Sequence, residues 1–200
     1  YGPARVQRSG TASLPITVTK APGAATRPII DGSSATYFAI WNQGNFVKFK
    51  GFDIFTHPSY NPASPPSGGP LAIVRVEGHG QVYEDCEFHH GYTGILSHDD
   101  YAGETLIDRC WVRMCGGLPS GADYAHGLYV TTNQIKFPLS KVRILQPQIK
   151  EVAGNGIKIR AAYHSVVAGR IEMGNYAEAY YAIQSCGPNG PYAPTNHSSD

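Results

Sequence analysis

Charge is scarce in this sequence. Of its 200 residues only 16 % are Asp, Glu, Lys or Arg, where about 25 % is usual. The 16 basic and 15 acidic side chains leave a net charge of +1, so no broad basic footprint for nucleic acid or an anionic membrane surface is present. No apolar run reaches the roughly 18 residues that a membrane-spanning helix requires. There is no Cys-x-x-Cys pair to nucleate a zinc site. Phosphate loops, Gly-x-Ser-x-Gly elbows and His-Glu-x-x-His helices are missing as well. The opening Tyr1-Gly2-Pro3 has none of the character of a secretory leader and reads as the interior of a longer chain or the product of processing.

What is abundant points to strands and turns. Gly 23 and Pro 15 supply many chain reversals, and 42 % hydrophobic residues suffice for a core. The 13 Tyr, 7 Phe and 2 Trp argue against intrinsic disorder. Low charge with abundant Tyr, Gly and Ser leans towards an extracellular protein. Asn196-His197-Ser198 is a glycosylation pattern, although such triplets also arise by chance.

One template recurs, apolar-x-apolar-x-x-apolar-x-apolar. Its copies start at Val47, Gln81, Thr105, Val142 and Val166, the last read as Val166, Ala168, Ile171 and Met173. The template positions carry no charge, whereas the positions between them hold Lys48, Lys50, Asp53, Glu84, Arg109, Arg143 and Arg170 among others. The copies lie 34, 24, 37 and 24 residues apart. Twenty-four is one short coil, and the longer gaps are the same coil with an added loop. A second short strand follows most copies, as Gly94-Ile95-Leu96, Gly127-Leu128-Tyr129 or Gly156-Ile157-Lys158. Short period-two strands repeating at this interval fit a solenoid of parallel strands. A β-sandwich is the rival, but its hairpins would pair through tight two-residue turns.

Two stretches carry a family likeness. Residues Ser9 to Val18, followed by Ala21-Pro22-Gly23 and Pro28-Ile29-Ile30-Asp31-Gly32, resemble the opening coil of right-handed parallel β-helix proteins, the superfamily of pectate, alginate and chondroitin lyases. The Gly-Ile-x-Ile motif of Gly156 to Ile159 is similar to their repeated signature. The resemblance covers about residues 9–186 and implies an all-β, right-handed parallel β-helix of about five to six coils. One domain then fills residues 1–200, as a fragment or with ends capped by other chains, since solenoid ends leave strand edges unpaired.

On this register Cys86 and Cys110 stack one above the other. They are either a disulfide or two buried thiols filling a ladder. His89 and His90, adjacent on a strand, should point to opposite faces and so make poor joint metal ligands. Asp99 and Asp100 could bind Ca2+ with other loop oxygens, or form a solvated turn.

Registering the Gly-apolar strands puts Leu96, Tyr129, Lys158 and Ala182 in one outward column and His98, Thr131, Arg160 and Gln184 in the next, with His126 at the border. The expectation is an open basic and aromatic groove. Tyr rings stack on sugars, and Arg grips carboxylates bidentately, so an acidic polysaccharide is the expected partner. Eliminative cleavage of a uronate needs the carboxylate neutralised and a base for the neighbouring proton. A Lys whose pKa is lowered by cationic neighbours is such a base. Lys158 then acts as base beside Arg160, with Tyr129 or His126 as acid, and His98, Thr131 and Gln184 bind substrate. In the lyases that the chain resembles, Lys, Arg, His and Tyr on one outer sheet have these roles. The alternative is a non-enzymatic structural β-helix, a filament subunit, adhesin or phage appendage that self-associates end to end. There Lys158 and Arg160 merely protect the sheet.

Overall fold

The computed structural model describes all residues except 67–69, 99–101, 118–124, 134, 162, 168, 174–182 and 187–200. Its described elements are strands in three parallel sheets. Sheet A has seven strands, namely Ala4–Val6, Phe38–Asn42, Ala72–Val76, Ile95–Ser97, Leu128–Thr131, Ile157–Arg160 and Ile183–Cys186, hydrogen-bonded in that order. Sheets B and C have six each, every third strand in sequence. The chain therefore visits B, C and A in turn and winds a right-handed parallel β-helix of about six coils, as the handedness of parallel crossovers requires.

The template positions are the inward ones. Val47, Phe49, Phe52 and Ile54 are all buried, as are their counterparts from Gln81 to Phe88 and from Thr105 to Val112. Like stacks on like: in sheet A, Ile40, Val74, Ile95, Leu128 and Ile157 form a ladder of paired residues with no exposed surface. In sheet B the rings of Phe49 and Tyr83 stack at 5.9 Å and 6°. Burying one such side chain contributes about 1.5–3 kcal/mol, and a single coil has no second face to bury it against.

Two charged residues between template positions, Asp85 and Arg109, sit at the corner from B to C. One residue per coil there adopts a left-handed backbone: Gly51 (φ 76°), Asp85 (53°), Arg109 (51°) and Gln146 (49°). That conformation turns the chain within two residues, and the next side chain, Phe52, Cys86 or Cys110, falls back into the core. Cys86 and Cys110 do stack, and both are free buried thiols rather than a disulfide.

The last copy differs from its expected phase. Val142 pairs with His164, Ile144 with Val166 and Ile149 with Ile171. Val166 is thus the second template position, and this coil is 22 residues long, not 24. The expected phase of Val166, Ala168, Ile171 and Met173 is the more apolar in sequence, and only pairing with the coil beneath selects the phase of His164, Val166 and Ile171.

Inside the helix lies a polar rung. Asn42 Nδ2 donates to Gln81 Oε1 and, at 3.1 Å, to the Tyr83 hydroxyl, while Gln81 Nε2 donates to the Gly44 carbonyl. The first coil leaves a mouth of about 530 Å³ lined by Val6, Val18, Ile30, Phe49 and Phe52 among others. No described helix is long and apolar enough to cross a membrane.

Candidate functional site

Because the side-chain period of a strand is two, alternate residues of sheet A form outward columns. Pairing places Arg5, Trp41, Arg75, Leu96, Tyr129 and Lys158 in one column. Thr131 and Arg160 are paired in the next. The basic and aromatic group expected on this face is therefore brought together. The Lys158 ammonium lies 4.9 Å from the Tyr129 ring centroid. The Arg160 guanidinium donates to the Tyr129 hydroxyl at 3.3 Å. His126 stands edge-on to the same ring at 5.5 Å and 75°.

His126 is held at both its backbone and its ring. Its N–H donates to Thr93 Oγ1 at 3.4 Å, and its ring Nδ1 accepts the Asn155 N–H at 3.0 Å. An Nδ1 that accepts carries no proton, so in the neutral ring the proton sits on Nε2. Thr131 is buried beside Arg160, and its hydroxyl finds no partner among the described residues. His98 begins the turn after Ile95–Ser97 and is anchored by its N–H to the Val76 carbonyl at 2.9 Å.

Two features of this face depart from the sequence reading. It is not an open groove at its upper end: Lys158 is 3 % exposed, His126 3 % and Tyr129 7 %. Two long connections stretch two of the coil spacings. Tyr60, on one of them, donates to the carbonyls of Gly116 and Gly117 at the corner where sheet A begins. Phe137, on the other, stacks on His79 at 4.6 Å. Gln184 also changes column. It pairs with Lys158, where Ala182 was expected, and Arg160 pairs with Cys186. Ala182 lies outside the described residues, as do Asp99 and Asp100, the proposed Ca2+ ligands. Among the described residues no cluster of three His, Cys, Asp or Glu is arranged to hold a metal ion.

His89 and His90 do not diverge. His90 has φ 55°, and this left-handed residue breaks the alternation, so the two rings meet with their Nδ1 atoms 2.5 Å apart. His89 Nε2 faces Asp53 Oδ1 at 2.6 Å. The hydrogen bond from His89, with the charges of His89, Arg113 and Arg27, holds the Asp53 carboxyl below its usual range despite burial. Met114 and Glu151 repeat the same kink in the next coils.

Sequence reasoning missed the lower half of the sheet A column. Arg5, Trp41 and Arg75 come from strands that precede the first Gly-apolar copy, and neither Phe38–Asn42 nor Ala72–Val76 follows a glycine. The alternation in Ala72 to Val76 was the signal available.

No protein-family model and no curated protein sequence matches the chain. Among solved structures, the crystal structure of an alginate lyase from Paenibacillus sp. str. FPU-7 superposes with a TM-score of 0.69 at 18 % identity, over 92 % of this chain. The chain spans 61 % of that protein's length. At that identity the likeness concerns the fold alone. The chain is a right-handed parallel β-helix, built on the same architecture as that alginate lyase.

Proposed function

We propose that the outer face of sheet A binds an acidic, uronate-containing polysaccharide and cleaves it by β-elimination. The observation that carries this reading is the convergence of two cations on one phenol. Lys158 lies at the Tyr129 ring and Arg160 at its hydroxyl, with His126 against the ring's edge. The fold shared with an alginate lyase supports it.

In this reading Arg160 pairs with the uronate carboxylate and disperses the charge that builds up as the neighbouring carbon loses its proton. The Lys158 amine, in its uncharged form, takes that proton. The electrons of the broken C–H bond form the new carbon–carbon double bond and expel the glycosidic oxygen, which receives a proton from the Tyr129 hydroxyl or from Nε2 of His126. One C–H and one C–O bond break, and no water is consumed. Thr131, His98 and Gln184 bind sugar hydroxyls. Ca2+ held by Asp99 and Asp100 would assist carboxylate neutralisation. Such polymers lie outside cells, which accords with an extracellular protein.

The test is direct. The protein is incubated with alginate, pectate, chondroitin and hyaluronan, with a neutral glucan as control, and the ultraviolet absorbance of the unsaturated uronate product is followed. Absorbance should rise on at least one uronate polymer and stay flat on the glucan. A flat trace on every uronate polymer, with and without added Ca2+, overturns the proposal.

A second reading rests on the apolar mouth of the first coil. Stacking of copies end to end through that mouth would make a non-enzymatic filament subunit. Concentration-dependent rods under the electron microscope, together with no cleavage, would favour it.

A further inference from the structure

The face described above continues below Tyr129, and its lower half has a different character. Arg75 and Trp41 are only half-buried, and Arg5 is exposed. The Arg5 guanidinium lies over the Trp41 ring at 4.4 Å, and Phe38 meets the same indole edge-on at 5.7 Å. Phe38, Ala72, Leu96 and Tyr129 pack into one apolar strip on the outside of the sheet. Trp41 and Tyr129 are three rungs, about 14 Å, apart along this column, with Arg75 half-buried and Leu96 7 % exposed between them.

The polar groups beside the strip are preset. Gln43 donates to Glu77 at 2.8 Å and accepts from Arg5 at 2.7 Å, and Arg75 reaches Glu77 at 3.4 Å. Gln43, Trp41 and Arg75 hold the Glu77 carboxyl ionised against its desolvation. On the described outward face Arg5, Arg75, Lys158 and Arg160 oppose Glu77, four positive charges against one negative, a balance of +3. The whole chain carries +1. Among the described residues this face is therefore positive, which suits an anionic occupant.

We infer that this strip is an extended binding track for a polyuronate chain lying parallel to the helix axis, with Trp41 as the distant stacking platform and Arg5 and Arg75 as carboxylate partners. The inference rests on the uronate reading of the Lys158 end and deepens it. Each sugar of a linked pyranose chain advances by roughly one rung of 4.8 Å, so ring faces and carboxylates recur in step with the side chains of the column. A ligand crossing the rungs sideways would meet two columns only. Trp41 then sets preference for length, because a chain must extend three or more units beyond Tyr129 to reach it.

The experiment uses size-defined oligouronates of two to eight units, titrated into a Lys158→Met background that prevents turnover. Affinity should rise at least tenfold between the trimer and the hexamer, and adding Trp41→Ala should flatten that rise while trimer affinity stays within about twofold. Arg75→Gln should lower hexamer affinity and reduce its salt dependence. Circular dichroism checks that each variant is folded. Equal length dependence with and without Trp41, or equal affinity for a neutral hexamer, overturns the track. Cleavage by the native protein is scored separately. Turnover with no Trp41 effect leaves the lyase reading standing without the track. A Trp41-dependent length effect on an inactive native protein supports the track as a binding surface and removes elimination. No binding of any oligomer overturns the track.

Discussion

Lys158→Met is the most informative substitution, because it removes the charge and keeps most of the shape. The proposed elimination loses its base, and a positioned general base is worth about 10²–10⁴ in rate. That range corresponds to roughly 3–5 kcal/mol of activation free energy, at about 1.4 kcal/mol per decade. Stability should respond far less. The ammonium is 4.9 Å from the Tyr129 ring and 3 % exposed, so about 1–2 kcal/mol of cation–π attraction is lost. Removing a buried cation next to Arg160 recovers a desolvation and repulsion cost of similar size. The net change should be within about 2 kcal/mol, a shift of a few degrees in Tm for a chain this long. The assay pairs initial rates of unsaturated-product formation at saturating polymer with a thermal melt. A variant that retains more than a tenth of the native kcat, while its melt shows it folded, would refute the assignment of Lys158 as base. Tyr129→Phe is the companion: it keeps the ring under Lys158 and removes the hydroxyl that Arg160 holds, so a loss there isolates the acid from the platform.

Other outcomes follow from the fold. Asn42→Ala should cost about 2–5 kcal/mol in urea melts, since it strips the donor from Gln81 Oε1 and the Tyr83 hydroxyl inside the helix; Tyr83→Phe should cost only about 1 kcal/mol, and equal losses would contradict the network. Glu84 is held at about 2 by hydrogen bonds from Lys48 and Lys50, against an ordinary value of 4.5. Its folded pKa is depressed, so its contribution is complete above pH 4.5 and disappears as pH falls towards 2. Solvent screening of Lys50 and Arg109 reduces that contribution to about 1 kcal/mol. Native protein should lose that much more than Glu84→Gln over this window, measured by denaturant titration at each pH. Burial pushes the Cys115 thiol up to about 12; at pH 8 it should resist alkylation until denaturant is added, and rapid labelling of the native protein at Cys115, mapped by mass spectrometry, would show the coil to be open.

The legible part of this protein is what recurs. A template such as Val47, Phe49, Phe52 and Ile54 is visible because each coil must bury the same positions against its neighbours, and repetition turns a weak local signal into a strong one. The Tyr129 and Lys158 pairing was legible because both follow a Gly-apolar start. Where repetition failed, so did the reading. His164 displaced Val166 as the start of the last copy, because that coil is 22 residues long and a pattern repeated at 24 overshoots it by two, and Gln184 pairs with Lys158 where Ala182 was expected. His90 escaped because a single residue at φ 55° overturns the alternation and nothing in its side chain declares it.

The sequence by itself determined the winding: its segregation of apolar and charged positions at intervals of one coil is enough to demand parallel strands laid rung upon rung. The tertiary structure decided which side chains share a surface and how far solvent reaches them. Trp41 and Tyr129 are 88 residues apart in the chain and three rungs apart in space. The long connections are irregular segments held by contacts such as Tyr60 with Gly116. Periodicity records which face of a strand a residue occupies; only the closed coil fixes what lies above it, below it and over it.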